Sequence, residues 1–528
     1  MGKIARYLNQ LTVGNVFDNP EILEAYAIDR SALKIKPKFV ALPESTDDIR
    51  KLIKFFDQLA LKNIQVAVTP RGSGMSEGGE SLTNGVVIST EKLNRLLEID
   101  TRGRLVRVQS GITLKELNTA LSVSGLTIPI EGHDEETIGG LISNCPKDEL
   151  AKKYGGISNY IERIEVVLAN GDCLQTERLK KYAIAKVASE KTLTGSIYRK
   201  ISKILYDNKE LLQKLNEKKN DLSGYPFITK VSRREALDLM PLFFGSQGTL
   251  GIISEIILRV VPIKPNKTRV VATFKDINLA LEYSERIKTL NPKKINLYDL
   301  KIIREARESG KNLDGVIRKL EDGFAVFACF DEKANTATKR IMAMKEKFPR
   351  NTKFVFESSE NRMMLSEFEN ALSNYLNHVK NAERVPILTN FYLPSYNLSG
   401  FLKDLEILKE KLELDLALFG NLGTEIFSLR PKFNLEDKDF NKKATTFLRA
   451  GAYIINRHGG KLAGGTPEGR LKAVVTSVEM PEDECKLYQE IKNIFDPHNI
   501  LNPDVKLGAS SKFTLTHFRN TNSPRVML

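Results

Sequence analysis

The chain has 528 residues, 41% hydrophobic and 28% charged, which suits a globular protein of two or more domains. No apolar run reaches the roughly 18 to 20 residues of a membrane span, Met1 to Asn19 lacks a secretory apolar core, and four scattered cysteines show no metal or disulfide spacing, so the expected setting is cytoplasmic. Lysine and arginine (80) outnumber aspartate and glutamate (66) for a net +14, read as spread along the chain; no nucleic-acid motif accompanies it, so nucleic acid is not an expected partner.

Residues 1–33 read as a polar helical segment. Lys38 to Pro43 is a strand, and Ser45 or Thr46 caps a helix from Asp47 to Leu61 with Ile49, Leu52, Ile53 and Phe56 on one face. Gln65 to Val68 is a second strand, which Thr69-Pro70 is expected to end. A glycine-rich loop, Arg71 to Gly79, leads into a third strand, Gly85 to Ile88. Leu105 to Val108 and Ile161 to Leu168 are further strands, with a helix from Thr113 and turns from Glu131 to Gly140 between them. Residues 180–220 form a lysine-rich helical excursion, and a second glycine-spaced loop, Phe243 to Ile253, runs into a strand that Pro262 stops. From Pro265, strands and helices alternate through Phe324 to Phe330, Val385 to Leu393, Leu416 to Phe419 and Ile426 to Leu429, as in an α+β domain on an antiparallel sheet. A helix near Asp437 to Arg457 ends at Gly459-Gly460, and another near Asp483 to Ile494 leads to Phe495-Asp496-Pro497. The last stretch, Lys506 to Leu528, carries Lys506, Lys512, Arg519 and Arg525 with no acid, and is the expected place for peripheral contact with the inner face of a membrane.

The loop Arg71-Gly72-Ser73-Gly74-Met75-Ser76-Glu77-Gly78 opens like a dinucleotide fingerprint, but a strand follows it where the Rossmann turn needs a helix. No Gly-Lys-Ser/Thr follows either, which excludes a Walker loop. A glycine loop can still take phosphates on its own N–H groups. Thr137-Ile138-Gly139-Gly140 and Gly245 to Gly251 add two more glycine segments at strand ends.

With these pieces, and with Tyr26 to Ser31, Lys153-Tyr154-Gly155, Ser223-Gly224-Tyr225 and Phe495-Asp496-Pro497 to Asn502-Pro503, the chain resembles the FAD-linked oxidases of the vanillyl-alcohol oxidase/p-cresol methylhydroxylase fold. The likeness covers about 470 residues and is nearest the branch of D-lactate dehydrogenase, the glycolate oxidase flavin subunit and D-2-hydroxyglutarate dehydrogenase. It implies a two-lobed FAD-binding domain at 34–264, a substrate cap at 265–483, a return to the FAD domain at 484–506 and a basic tail at 507–528. It also implies FAD held by Arg71, Gly72, Ser73, Gly74, Met75, Ser76 and Gly78, by Thr137, Gly139, Gly140, Ser143 and Asn144, and by Gly248, Thr249, Gly251, Ile252 and Ile253. Asn502 would reach the flavin ring. Met75 stands where some relatives carry a histidine linked to the cofactor, so noncovalent FAD is expected.

The branch usually holds a divalent metal in its cap. Here Asn421, Ser428, Gly465 and Thr466 occupy the ligand positions, a poor set for zinc or manganese, and no metal is expected. Candidate catalytic residues are then Arg430 and Arg470, which can fork a carboxylate, with Glu425 and Tyr392; His458 fits a helix C-terminus. The expected activity is FAD-dependent oxidation of a small hydroxy acid or sugar-like alcohol by hydride transfer to flavin N5. The substrate is expected to be anionic, with oxygen, a quinone or a carrier protein taking the electrons. An aldonolactone or sugar oxidase, and a flavin-binding redox protein without turnover, are the alternatives.

Overall fold

Ser45 stops one strand and starts a helix: its hydroxyl accepts the Asp48 N–H (3.2 Å), capping α1 (Thr46–Leu61). That helix lays Ile49, Leu52, Ile53 and Phe56 on a small sheet of β1 (Asn15–Phe17), β2 (Phe39–Leu42), β3 (Val68–Arg71) and β4 (Val86–Ser89), in the order β1-β2-β4-β3. The computed structural model that shows this describes residues 2–234, 236–264, 266–308, 322–349, 352–377 and 384–519. Two expectations change here. Residues 1–33 are not helical throughout, because β1 adds an antiparallel edge to β2. Strand β3 also runs through Thr69-Pro70 to Arg71; it lies at the sheet edge, where a proline without N–H costs little.

The second sheet is antiparallel: β5 (Leu96–Asp100), β6 (Leu105–Gln109), β7 (Ile161–Val167), β8 (Cys173–Gln175) and β9 (Ile252–Arg259), in the order β5-β6-β9-β7-β8. Expected turns at Glu131 to Gly140 give way from Ile138 to helix α2 (Ile138–Asn144), capped by Thr137, whose hydroxyl accepts the Gly140 N–H (3.2 Å). Two glycines in the first turn hide this helix from a propensity reading. The lysine-rich excursion is three helices, α3 (Lys181–Ser189), α4 (Leu193–Asp207) and α5 (Lys209–Glu217).

The third sheet holds seven strands among the described residues: β10 (Thr268–Phe274), β11 (Lys294–Asp299), β12 (Phe324–Phe330), β13 (Lys353–Phe356), β14 (Leu388–Tyr392), β15 (Asp415–Asn421) and β16 (Ile426–Lys432). Their order is β13-β10-β12-β11-β15-β16-β14, with every neighbouring pair antiparallel. Strand β11, not anticipated from sequence, alternates: Ile295 and Leu297 enter the large core, while Lys294, Asn296 and Tyr298 share the other face. Helices α6 (Arg362–Asn377), α7 (Phe440–Arg457) and α8 (Gly469–Glu479) follow. Then α9 (Glu482–Phe495) returns to the second sheet, burying Leu487, Tyr488, Ile491 and Phe495 in its core.

The basic tail is not free over its described part. Lys506 donates to Glu468 (2.6 Å) with both side chains at most 1% exposed, and Phe518 is buried. The Lys34 and Arg519 N–H groups bond His517 O (2.8 Å) and Ala32 O (2.9 Å), tying the two ends of the chain together. Residues 520–528, with Arg525, lie outside the described residues.

Candidate functional site

Three sheet edges meet around one cleft of about 410 Å³. The first sheet contributes the loop after β3, the second contributes α2 and the turn into β9, and the large sheet contributes the ends of β11, β15 and β16. Arg71 to Ser76, Thr137, Gly139, Gly140, Ser143, Asn144, Gly248, Gly251, Ile252 and Ile253 all line it. The geometry demands glycine at 248: φ is +73°, and a Cβ there would stand 2.2 Å from Pro70 Cγ.

Three residues expected to touch the cofactor lie behind this wall. Gly78 gives its carbonyl to the Leu471 N–H (3.1 Å). Thr249 bonds Ser246 O and the Tyr225 hydroxyl (both 2.7 Å), and its own carbonyl accepts from Lys492 Nζ (2.8 Å). Asn502 does not reach into the cleft. It accepts from Thr69 Oγ1 (2.9 Å) and donates to Glu80 O (2.9 Å) and Gln247 O (2.7 Å), so it clips the glycine segments together from below.

The large-sheet candidates separate by what they touch. Arg430 lines the cleft, 3% exposed; it ion-pairs with Glu77, stands over the Phe419 ring, and leaves Nε without a partner. Arg470 is elsewhere, donating to Leu82 O (2.7 Å), Pro503 O (3.0 Å) and Asn502 Oδ1 (3.3 Å), so it braces backbone and cannot clamp a substrate. Glu425 accepts from Ser395 N (2.8 Å) and Oγ (2.7 Å) and from the Tyr392 hydroxyl (3.2 Å), so this pair fastens a turn and neither residue lines the cleft. His458 bonds Asp404 (2.9 Å) at the end of α7, the structural role expected of it.

At the positions where the resemblance implies metal ligands, Asn421 donates to Asn296 Oδ1 (2.7 Å) and accepts from Thr424 N (2.7 Å). Ser428 Oγ accepts the Asn390 N–H (2.9 Å). These side chains knit β11, β14, β15 and β16 together instead of presenting a donor set.

The sequence reading missed a charged cluster at the same mouth. Lys294, 4% exposed, reaches Glu131 (2.7 Å), Glu149 (3.1 Å) and Glu369 (2.9 Å), and so joins the large sheet to both sides of the α2 segment. The visible signal was the alternation Lys294-Ile295-Asn296-Leu297-Tyr298. Burial pushes the Glu369 carboxyl up, but Lys294, Lys267 and Arg269 outweigh it and hold it down at about 2. A carboxylate lowered from near 4.5 stabilises the fold at neutral pH, and that contribution, about 3 kcal/mol, drains as pH falls from about 4.5 to about 2. Urea unfolding across that window should show this slope in the parent and a flatter one in Glu369→Gln.

Burial acts the other way on two cleft carboxyls. Asp148 rises to about 7 despite bonds from the Leu150 and Glu131 N–H groups, and Glu136 rises to about 7 despite one from the His133 N–H. Both change protonation near neutral pH. Glu77 is also pushed up by burial, but Arg430 and Arg30 leave it below the usual carboxylate range.

The cleft fits FAD. Among the described residues its lining leaves Arg71 Nε, Glu80 Oε2, Ser110 Oγ, Asp148 Oδ2 and Arg430 Nε buried without a hydrogen-bond partner, and Glu369 Oε1 with only its ion pair to Lys294, an unusual concentration in a folded interior. Glycine backbone approaches from both sheets, and Met75 offers no atom for a covalent link.

Two family models match the chain, "FAD binding domain" over residues 37–177 and "FAD linked oxidases, C-terminal domain" over residues 263–505. A D-2-hydroxyglutarate dehydrogenase of Pseudomonas putida is 25% identical over 503 residues, a match covering 90% of this chain and 49% of that protein. The chain thus spans about half the length of that relative. Glycolate oxidase subunit GlcD of Bacillus subtilis is 24% identical over 479 residues, 88% of each chain. The 4-ethylphenol oxidase from Gulosibacter chungangensis superposes with a TM-score of 0.64 at 14% identity, over 94% of this chain and 95% of that one, a likeness of fold.

Proposed function

We propose, from its matches to the two FAD-linked oxidase models and to these relatives, that the chain is an FAD-linked dehydrogenase or oxidase acting on the CH–OH group of a small hydroxy acid, with noncovalent FAD. We place the FAD-binding domain at 34–264 with 484–506, and the substrate cap at 265–483. Bound FAD supplies the hydride acceptor. Gly72 to Ser76, Thr137 to Asn144 and Gly248 to Ile253 would hold it, because these segments bring backbone to the cleft from both smaller sheets.

The observation that carries the substrate reading is Arg430: a buried guanidinium on the cap side of the cleft with Nε unpartnered. It holds a carboxylate while Phe419 covers its flank and excludes water. The hydroxyl proton passes to a carboxyl of the cleft lining, Asp148, whose Oδ2 is buried without a partner, or Glu136. Arg430→Lys keeps the charge and loses the fork, and should raise KM for a hydroxy acid by about tenfold or more with a smaller change in kcat.

A neutral sugar-like alcohol is the second reading, because Glu77 already matches the charge of Arg430 and three glutamates surround Lys294. The electrons then leave to oxygen, a quinone or a carrier protein, and we place the protein in peripheral contact with the inner membrane face.

The test is anaerobic titration of the purified yellow protein. Bleaching by D-2-hydroxy acids supports the main reading, and bleaching by neutral sugars alone selects the second. A colourless protein that takes up no added FAD rejects both.

A further inference from the structure

We infer that the three-helix excursion α3–α5 is the face by which the protein docks on an anionic lipid surface. The proposal deepens the membrane contact just put forward and moves it away from the tail, whose Lys506 is buried against Glu468. The positive charge is not spread along the chain. Residues 178–219 hold twelve lysines and arginines against four acids, a net of +8 out of +14 for the whole protein. All twelve are exposed, and the segment lies between the two regions that the family models match.

The helices explain why this charge faces outward. On α4, Ile197, Ile201 and Ile204 are buried, so Arg199, Lys203 and Tyr206 fall on the opposite side. On α3, Ala183, Ile184, Val187 and Ala188 pack inward and present Tyr182 and Lys186. Tyr182 is 85% exposed and Tyr206 71%, with Lys209 Nζ above the Tyr206 ring (4.4 Å). The face is anchored to the body where Lys218 pairs with Glu484.

The chemistry favours lipid over nucleic acid or an acidic protein. Ten of the twelve cations are lysines, point charges that attract an anionic surface but do not fork single phosphates. Arg199 is already held by the Glu190 carbonyl (3.0 Å). Tyrosine suits a headgroup boundary, with an apolar ring and a wet hydroxyl, whereas lysine is depleted at protein–protein interfaces.

The test is sedimentation of the full-length FAD-loaded protein with phosphatidylcholine vesicles, plain or containing about one third phosphatidylglycerol. Binding is expected only to the anionic vesicles, weakening as salt rises from about 0.05 to about 0.3 M. Lys186→Glu/Lys200→Glu/Lys203→Glu should weaken it at least about 100-fold. Reversing three exposed lysines elsewhere, Lys62→Glu/Lys403→Glu/Lys442→Glu, should cost far less. The proposal is overturned by equal binding to neutral vesicles, by equal loss in the two triple variants, or by tighter binding to duplex DNA or an acidic protein than to the anionic vesicles. Flavin absorbance of the same samples reports the FAD reading separately, so either idea can fail alone.

Discussion

Gly139→Val should yield a folded protein that has lost FAD. Gly139 sits in the first turn of α2 and lines the cleft, and its N–H bonds Ser110 O (2.8 Å). A Cβ at 139 would lie 2.7 Å from Ser110 Cβ and 2.9 Å from Ser110 O, distances that real side chains do not tolerate. The helix start and the end of β6 must therefore part by several tenths of an ångström. Overpacking of this kind costs about 1 to 3 kcal/mol, less than the roughly 5 to 15 kcal/mol that holds a domain together. The cofactor wall has less margin, because Ser110 and Gly139 form it together. FAD occupancy, read from absorbance per mole of protein, should fall at least about tenfold for a loss of about 1.4 kcal/mol or more in cofactor affinity. Gly156→Ala is the control, since its new methyl meets nothing nearer than 3.7 Å and lies outside the cleft lining. Full occupancy in Gly139→Val would remove α2 from the cofactor site.

The contrast between Arg430 and Arg470 shows how far the chain could be read before its structure was known. Both are arginines in glycine-bearing cap segments, and the same chemistry was open to each. Arg430 stands on β16 with its side chain at the cleft, whereas Arg470 lies in the first turn of α8 with backbone carbonyls around it. Partners, not residue type, decide the role, and partners come from positions hundreds of residues apart. The glycine segments were legible because the need for close backbone approach is local and leaves glycine in place. The Lys294 cluster was not, because Glu131, Glu149 and Glu369 reach it from two lobes and no spacing connects them. Tyr392 and Glu425 failed for a related reason: a tyrosine–glutamate pair serves a turn as well as it serves a reaction.

Asn502 tests the most consequential of these revisions. The resemblance would send its side chain to the flavin, but the structure turns it inward at 1% exposure, with φ at +41°. Its backbone N–H bonds Val68 O (2.9 Å), and its amide joins Thr69, Glu80, Gln247 and Arg470, residues from four separate segments. Asn502→Ala would strip those groups of a buried partner and put alanine in a left-handed conformation. Unsatisfied buried groups cost about 1 to 3 kcal/mol each and the left-handed backbone about 1 kcal/mol, so with partial relaxation the loss should be about 3 to 5 kcal/mol. Denaturant midpoints would measure it. Asn502→Asp is the sharper variant. It keeps shape and the acceptor toward Thr69, but it sets an oxygen against the carbonyls of Glu80 and Gln247 where an N–H₂ now donates to both. Repulsion between three acceptors should make it at least as unstable as the alanine variant, although it preserves volume. If either variant instead kept its stability within about 1 kcal/mol while losing FAD, Asn502 would be a direct cofactor contact after all. A parallel loss of stability and of all three glycine segments' grip on FAD would mark it as the clip that holds the cleft in shape.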